Sequence, residues 1–247
     1  MRGPWKNSPD LKSMRIEPKK VAICRSHCPV CGPSLFVRLA EEETAVRCLR
    51  CRATPITLSL VSALRSAITN LSTCRVYEMS SRGPLLRFLR GNAREVTISE
   101  YFDDEPAGSY RGNVQCQDVT RLTYPDQAFD LVTSTEVFEH VADDLKGFRE
   151  VRRVLRPGGH FVFTVPLQSG PTVTRVVQSE AGELSHLLRP EFHSDRARGA
   201  RKVLCFRNYG EDIVARLAEA GLPAVIRGAP ERWFGFARPV LMARRPD

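Results

Sequence analysis

Of the 37 basic residues in this 247-residue chain only six are lysine, so the net charge of +9 is carried almost wholly by arginine. An arginine excess of this kind also follows from GC-rich coding, and charge alone therefore does not establish a nucleic-acid partner. Aromatic residues are few as well, at 8 %. The densest basic cluster, Arg196, Arg198, Arg201, Lys202 and Arg207, lacks the interleaved aromatics on which bases would stack. The two tryptophans, Trp5 and Trp233, fall in no pattern. Long apolar runs are missing too. The most apolar stretch, from Ile56 to Leu71, is broken by Arg65, which excludes a membrane-spanning helix of about 18 residues. The first twenty residues hold Arg2, Lys6, Lys12, Arg15, Lys19 and Lys20 but no apolar core of a signal peptide. They read as a disordered basic tail over 1–20, and the protein as cytoplasmic.

What is present in unusual number is cysteine. Eight occur, and four form two knuckles, Cys28-Pro29-Val30-Cys31 and Cys48-Leu49-Arg50-Cys51, separated by sixteen residues. That spacing brings four thiolates around one tetrahedral Zn²⁺, and Pro29 and Gly32 suit the tight turn a knuckle needs. Residues 21–53 thus read as a zinc-ribbon-like module, with two short strands at 35–39 and 44–47. Cys24, Cys74, Cys116 and Cys205 have no paired spacing and read as small apolar residues, Cys24 being a reserve metal ligand.

After the module, Leu58, Val61, Leu64, Ile68 and Leu71 recur at helical spacing, which predicts a linking helix within 54–73. From position 74 to the end strands and helices alternate. Strands are predicted at 75–79, 96–100, 113–116, 129–135, 161–165, 224–227 and 240–244. Helices are predicted to start at Pro84, to run over 144–155 until Pro157-Gly158-Gly159, and to run over 211–220 until Gly221. Alternation of this sort implies an α/β, doubly wound sheet, with two connections (101–112 and 118–128) poor in helix. Ligands of such sheets sit beyond the carboxyl ends of the strands. Glu78, Glu100 and Asp118 fall there, and together they suit an adenosine ligand: Glu100 for ribose hydroxyls, Asp118 for an adenine amino group, Glu78 for the first turn or an ammonium.

The segment Asp118–Pro166 resembles class I S-adenosylmethionine-dependent methyltransferases of the type 11 branch. The resemblance is carried by Asp118, Leu122, Phe129-Asp130-Leu131-Val132, Glu139-His140-Val141, Glu150 and Arg153-Val154-Leu155-Arg156-Pro157-Gly158-Gly159. It implies a Rossmann-like seven-stranded sheet whose last strands are antiparallel, and S-adenosylmethionine at the first three strand ends. It also implies an acceptor held by variable loops, a small molecule or sugar, with ribosomal RNA as the alternative and a non-catalytic interaction protein as a third reading. The first loop departs from the family, which expects more glycine than Glu78-Met79-Ser80-Ser81-Arg82-Gly83-Pro84 supplies. Gly83 with the small Ser80 and Ser81 still permits close backbone approach, and the free N–H groups of the following helix suit a carboxylate. A hydroxyl acceptor would need a base. His140, just past the fourth strand, and His193, in the long insertion after the fifth, are the candidates, with His186 behind them.

Overall fold

In the computed structural model residues 16–195 and 201–247 are described. The chain opens on a small antiparallel sheet of β1 (Ala22–Cys28), β2 (Gly32–Arg38) and β3 (Val46–Cys48). Two points differ from the sequence reading. The module has three strands rather than two, because the chain approaching the first knuckle pairs with the strand leaving it, Cys28 opposite Gly32. Residues at the end of the expected disordered tail are also ordered: Pro18–Lys20 forms a 3-10 turn, and the Glu17 N–H bonds the Leu39 carbonyl at 2.9 Å.

Helix α1 (Pro55–Ala67) follows, with proline in its first turn, where no N–H is needed. Then come β4 (Arg75–Glu78), α2 (Pro84–Asn92), β5 (Glu95–Glu100), β6 (Tyr110–Arg111), β7 (Val114–Cys116) and β8 (Phe129–Thr135). Helix α3 (Asp144–Val154) is capped by the Asp143 side chain, which accepts from the Lys146 N–H. It runs directly into β9 (Leu155–Thr164). A Cβ on Gly159 would lie 2.8 Å from the Arg156 carbonyl oxygen and 3.1 Å from that of Asp130, so glycine alone lets the chain turn back onto the sheet there.

The insertion after β9 is built of short antiparallel pairs. Its strands are β10 (Val173–Thr174), β11 (Val176–Gln178), β12 (Leu184–His186), β13 (Phe192–Asp195), β14 (Arg201–Leu204) and β15 (Arg207–Asn208). They pair β10 with β15, β11 with β12 and β13 with β14. Helix α4 (Ile213–Glu219), β16 (Ala224–Arg227) and β17 (Val240–Arg244) complete the chain.

The main sheet has the order β16-β17-β9-β8-β4-β5-β7-β6. The strands from β9 through β7 are parallel, and β17, β16 and β6 run antiparallel to their neighbours. This is a Rossmann-like α/β sheet with eight strands where seven were expected. The extra one, β6, turns the 101–112 connection into a hairpin on β7 in place of a crossover helix. Alternation along the strands feeds two cores. Tyr77, Val132, Phe161 and Phe163 face α3 and α4, whereas Val76, Leu131 and Val162 face α1 and α2.

A third core joins the small sheet to the rest. Phe36, Val46, Cys28 and Cys48 pack with Leu58 of α1 and with Trp233, whose ring stacks on Phe36 at 6.3 Å. The expected linking helix is therefore a shared wall, with Leu58 in one core and Leu60, Val61 and Leu64 in another. Arg238 reinforces the join. Its N–H bonds Ser59 Oγ at 3.0 Å, and its guanidinium lies 2.9 Å from Glu43 of the module and 3.5 Å from Glu136 beyond β8. Among the described residues no helix is long and apolar enough to cross a membrane.

Candidate active site and metal centre

The parallel register places the three sequence-predicted acids at one edge of the sheet. Glu78 ends β4 opposite Ile98, Glu100 ends β5 opposite Cys116, and Asp118 follows β7 by two residues. Each is held differently. Glu78 is buried and accepts a hydrogen bond from the Thr133 hydroxyl of β8; burial pushes its carboxyl up to about 8, only partly opposed by that bond. Glu100 Oε1 accepts from both the N–H (2.9 Å) and the hydroxyl (2.8 Å) of Ser81, tying the first loop to the end of β5. Asp118 Oδ1 accepts from the N–H and hydroxyl of Thr120, each at 2.8 Å, in a tight Asx turn.

Within the first loop, Ser80 Oγ donates to the Arg82 carbonyl at 2.9 Å. Gly83 takes φ +107° as the residue capping α2, and Pro84 follows in the first turn. A side chain at Gly83 would meet open space but the wrong backbone conformation, so the glycine serves the turn itself.

The four cysteines converge as their spacing predicts. Cys28 and Cys51 sulfurs are 3.6 Å apart, as are those of Cys31 and Cys48, and all four lie within 4.8 Å of one another. Thiolates on one Zn²⁺ at about 2.3 Å stand roughly 3.8 Å apart, so the group fits a tetrahedral ion. Local backbone supports it. Gly32 and Arg52, the residues after each knuckle, have φ of +84° and +65°. A hydrogen bond from Cys51, and behind it N–H groups of Cys31 and Val30, draw the Cys28 thiol down to about 5 against the effect of burial. Cys24 lies at the margin of the same core, outside the four-sulfur group.

The two histidines predicted to act at the acceptor end also meet. The segment Phe138–His140 forms a 3-10 turn just beyond β8, and β13 brings His193 over it, the two rings 5.1 Å apart and nearly perpendicular. His140 Nδ1 donates to the Leu204 carbonyl at 2.8 Å. Cys205 contradicts its reading as a mere apolar filler: its sulfur lies 3.9 Å from His140 Nδ1 and groups with both imidazoles. Burial pushes the Cys205 thiol up, but hydrogen bonding toward His140 and His193 leaves it below its ordinary value. Contacts with Cys205 and then Glu139 carry His193 up to about 10. A histidine that keeps its proton through neutral pH donates rather than accepts, so His193 alone is poorly placed as a base. His186 lies elsewhere, exposed on β12 and paired across from Val176.

Sequence reasoning missed three features. Glu139 is buried under both imidazoles, a fact its neighbour His140 in the sequence does not reveal. Arg207, read only as part of the dense basic cluster, is buried; it donates to the Val141 and Ala142 carbonyls at 2.7 Å each and pairs with Asp144. Arg196 and Arg198 of that cluster lie outside the described residues. The motif residues Glu150 and Arg153 prove to hold the loop before β8: Glu150 accepts from the Leu122 N–H, and Arg153 donates to the Leu122 and Tyr124 carbonyls.

A parallel sheet closed by an antiparallel strand between the last two positions, with acids at its first three carboxyl ends, defines the Rossmann-like methyltransferase fold. A chain of the complex between the Haloferax volcanii Trm112 methyltransferase activator and a methyltransferase shares it, with a TM-score of 0.50 at 15 % identity over 78 % of this chain and 90 % of that one. Residues 67–163 match the Methyltransf_11 family, described as a methyltransferase domain. Curated relatives include the sarcosine/dimethylglycine N-methyltransferase of Halorhodospira halochloris, 46 % identical over 57 residues (23 % of this chain, 20 % of that one). The ubiquinone biosynthesis O-methyltransferase of Coxiella burnetii is 38 % identical over 52 residues (21 % of this chain, 22 % of that one). The chain thus spans about a fifth of the length of the curated relatives it matches.

Proposed function

We propose that the chain is an S-adenosylmethionine-dependent methyltransferase acting on a small-molecule acceptor, with a structural zinc ribbon over 21–53, a helix over 54–73 and the transferase domain over 74–247. The observation that carries this reading is the gathering of Glu78, Glu100 and Asp118 at adjoining strand ends inside the segment that matches the methyltransferase family.

When bound, S-adenosylmethionine supplies a methyl carbon on a positively charged sulfur, which passes to a nucleophile as the carbon–sulfur bond breaks and a neutral thioether leaves. The residues of this chain position that ligand. Glu100 is the ribose contact and, through Ser81, fixes the first loop. Asp118 faces the base, Glu78 props the end of β4, and Gly83 with Ser80 leaves room for backbone approach at the start of α2. His140 and His193 act at the acceptor end, where the insertion after β9 folds over the exit of β8. Zn²⁺ would be held by Cys28, Cys31, Cys48 and Cys51, serving structure alone, since all four positions of a tetrahedral ion are filled. A small acceptor is favoured over RNA because burial of Arg207 removes a member of the one dense basic cluster.

Thermal shift with S-adenosylhomocysteine tests the reading: stabilisation at millimolar ligand is expected, and its absence would sink the enzyme assignment. Glu100→Ala should weaken that binding by about 1–3 kcal/mol through loss of hydrogen bonds to a charged group. Unchanged affinity would move the ribose contact elsewhere.

A further inference from the structure

Beyond β8, the neighbours Glu139 and His140 meet His193 and Cys205 of the insertion without forming a closed hydrogen-bond network. The ligand atoms of His140, His193 and Cys205 lie within 4.8 Å of one another. Beneath them sits Glu139, its side chain 2 % exposed and neither carboxylate oxygen given a hydrogen bond among the described residues. Glu139 Oε1 is 3.8 Å from His140 Nε2 and 3.7 Å from His193 Nδ1. These separations are too long for hydrogen bonds, yet close to the edge of a coordination polyhedron, where nitrogen and oxygen ligands at about 2.0–2.1 Å stand roughly 3.3 Å apart.

The outer contacts of both rings point the same way. His140 Nδ1 must carry its proton, because the Leu204 carbonyl it meets at 2.8 Å can only accept; its Nε2 lone pair is thereby left facing Glu139. His193 Nε2 meets the Glu191 carboxylate at 3.3 Å, which leaves Nδ1 facing Glu139 as well. A carbonyl or carboxylate behind each imidazole is the arrangement that orients histidines toward a metal. The backbone ties the two parts of the cluster together: the Phe206 N–H bonds the Glu139 carbonyl at 2.8 Å, and the Cys205 N–H bonds the carbonyl of Glu191, whose carboxylate backs His193, at 2.9 Å.

We propose that Glu139, His140 and His193 bind a divalent first-row transition ion, and that this ion holds and ionises a hydroxyl group of the acceptor at its open fourth position. Two imidazoles and a carboxylate suit Zn²⁺ or Co²⁺ better than Mg²⁺. The acceptor role rests on the methyltransferase reading above; the binding of the ion does not. An oxygen on such an ion loses its proton to solvent near neutral pH, as zinc-bound water does at a pKa of about 7, and the freed lone pair is then the nucleophile for the methyl carbon. The acceptor class is accordingly a hydroxylated small molecule.

The test is metal counting on the full chain after dialysis against Zn²⁺ or Co²⁺. Two ions per chain are expected, one in the four-cysteine group. His140→Ala/His193→Ala should retain one. The single variant His193→Ala, altered at a side chain that is 35 % exposed, and the near-isosteric Glu139→Gln should each weaken the second ion tenfold or more. One ion per chain in the unaltered protein, or two ions surviving in the double variant or bound with unchanged affinity in the single variants, would overturn the proposal. The S-adenosylhomocysteine thermal shift on the same preparations separates the two readings. Loss of the second ion with a normal shift in the variants supports the metal site. A second ion in a protein that shows no shift supports the site and removes the transferase.

Discussion

The four-cysteine group and the group around Glu139 use similar donors but are assembled in opposite ways. In the first, each pair of sulfurs comes from one knuckle, so the spacing of the residues already contains the geometry. In the second, His140 and Cys205 are 65 positions apart and meet only because β10–β15 fold back over the turn after β8. The first group can form as soon as its own hairpins do, whereas the second exists only once the main sheet and the insertion are both in place. Local chemistry is thus written in the chain, and tertiary chemistry is not.

Substitutions can break this contrast. Cys48→Ser should have the largest effect, with loss of zinc and a destabilisation of at least ~4 kcal/mol, because the core around Phe36 and Trp233 is built on the metal-binding cysteines. Zinc content with urea unfolding checks it; a metal-free, equally stable variant would show that the small sheet stands without its ion. Trp233→Ala attacks the same core from the other end of the chain. It should cost about 3–5 kcal/mol while leaving zinc bound, since the ring fills space and ligates nothing. A loss below 1 kcal/mol would mean that the module stands independent of Trp233 and the chain between β16 and β17.

Glu78→Gln sharpens the contrast at the carboxyl edge of the main sheet, and its effect at pH 5 should be the smallest, within about 1 kcal/mol of the unaltered protein. The difference is one of slope. The folded Glu78 keeps its proton up to about 8, whereas an unfolded carboxyl releases it near 4.5. The unfolded state therefore binds fewer protons between those values, and stability present below pH 4.5 is lost as pH rises through 8. Glutamine cannot titrate, so the variant should be flatter over that window in urea midpoints. Parallel slopes would show that Glu78 is ionised in the fold.

Several elements were legible for physical reasons. The strands at 224–227 and 240–244 keep the bounds read from their pattern, and α3 ends at Val154 where Pro157-Gly158-Gly159 forbids continuation. The strand-end acids were legible because a parallel sheet has one carboxyl edge. The nested insertion was not, since its strands are two to four residues long and carry no usable period. Trp233 was not legible because its partners lie almost two hundred positions earlier, nor was the burial of Arg207, whose carbonyl acceptors lie some 65 positions before it.

Arg238 gives the two halves of the molecule an electrical link. One guanidinium serves as counter-ion to Glu43 in the small sheet and to Glu136 at the exit of β8, where burial already pushes the carboxyl up to about 7. Neutralising Glu43 would leave that positive charge undivided for Glu136 and make it more acidic. A change in the small sheet is thereby relayed to the carboxyl edge of the main sheet as a shift in proton affinity, with no backbone having to move.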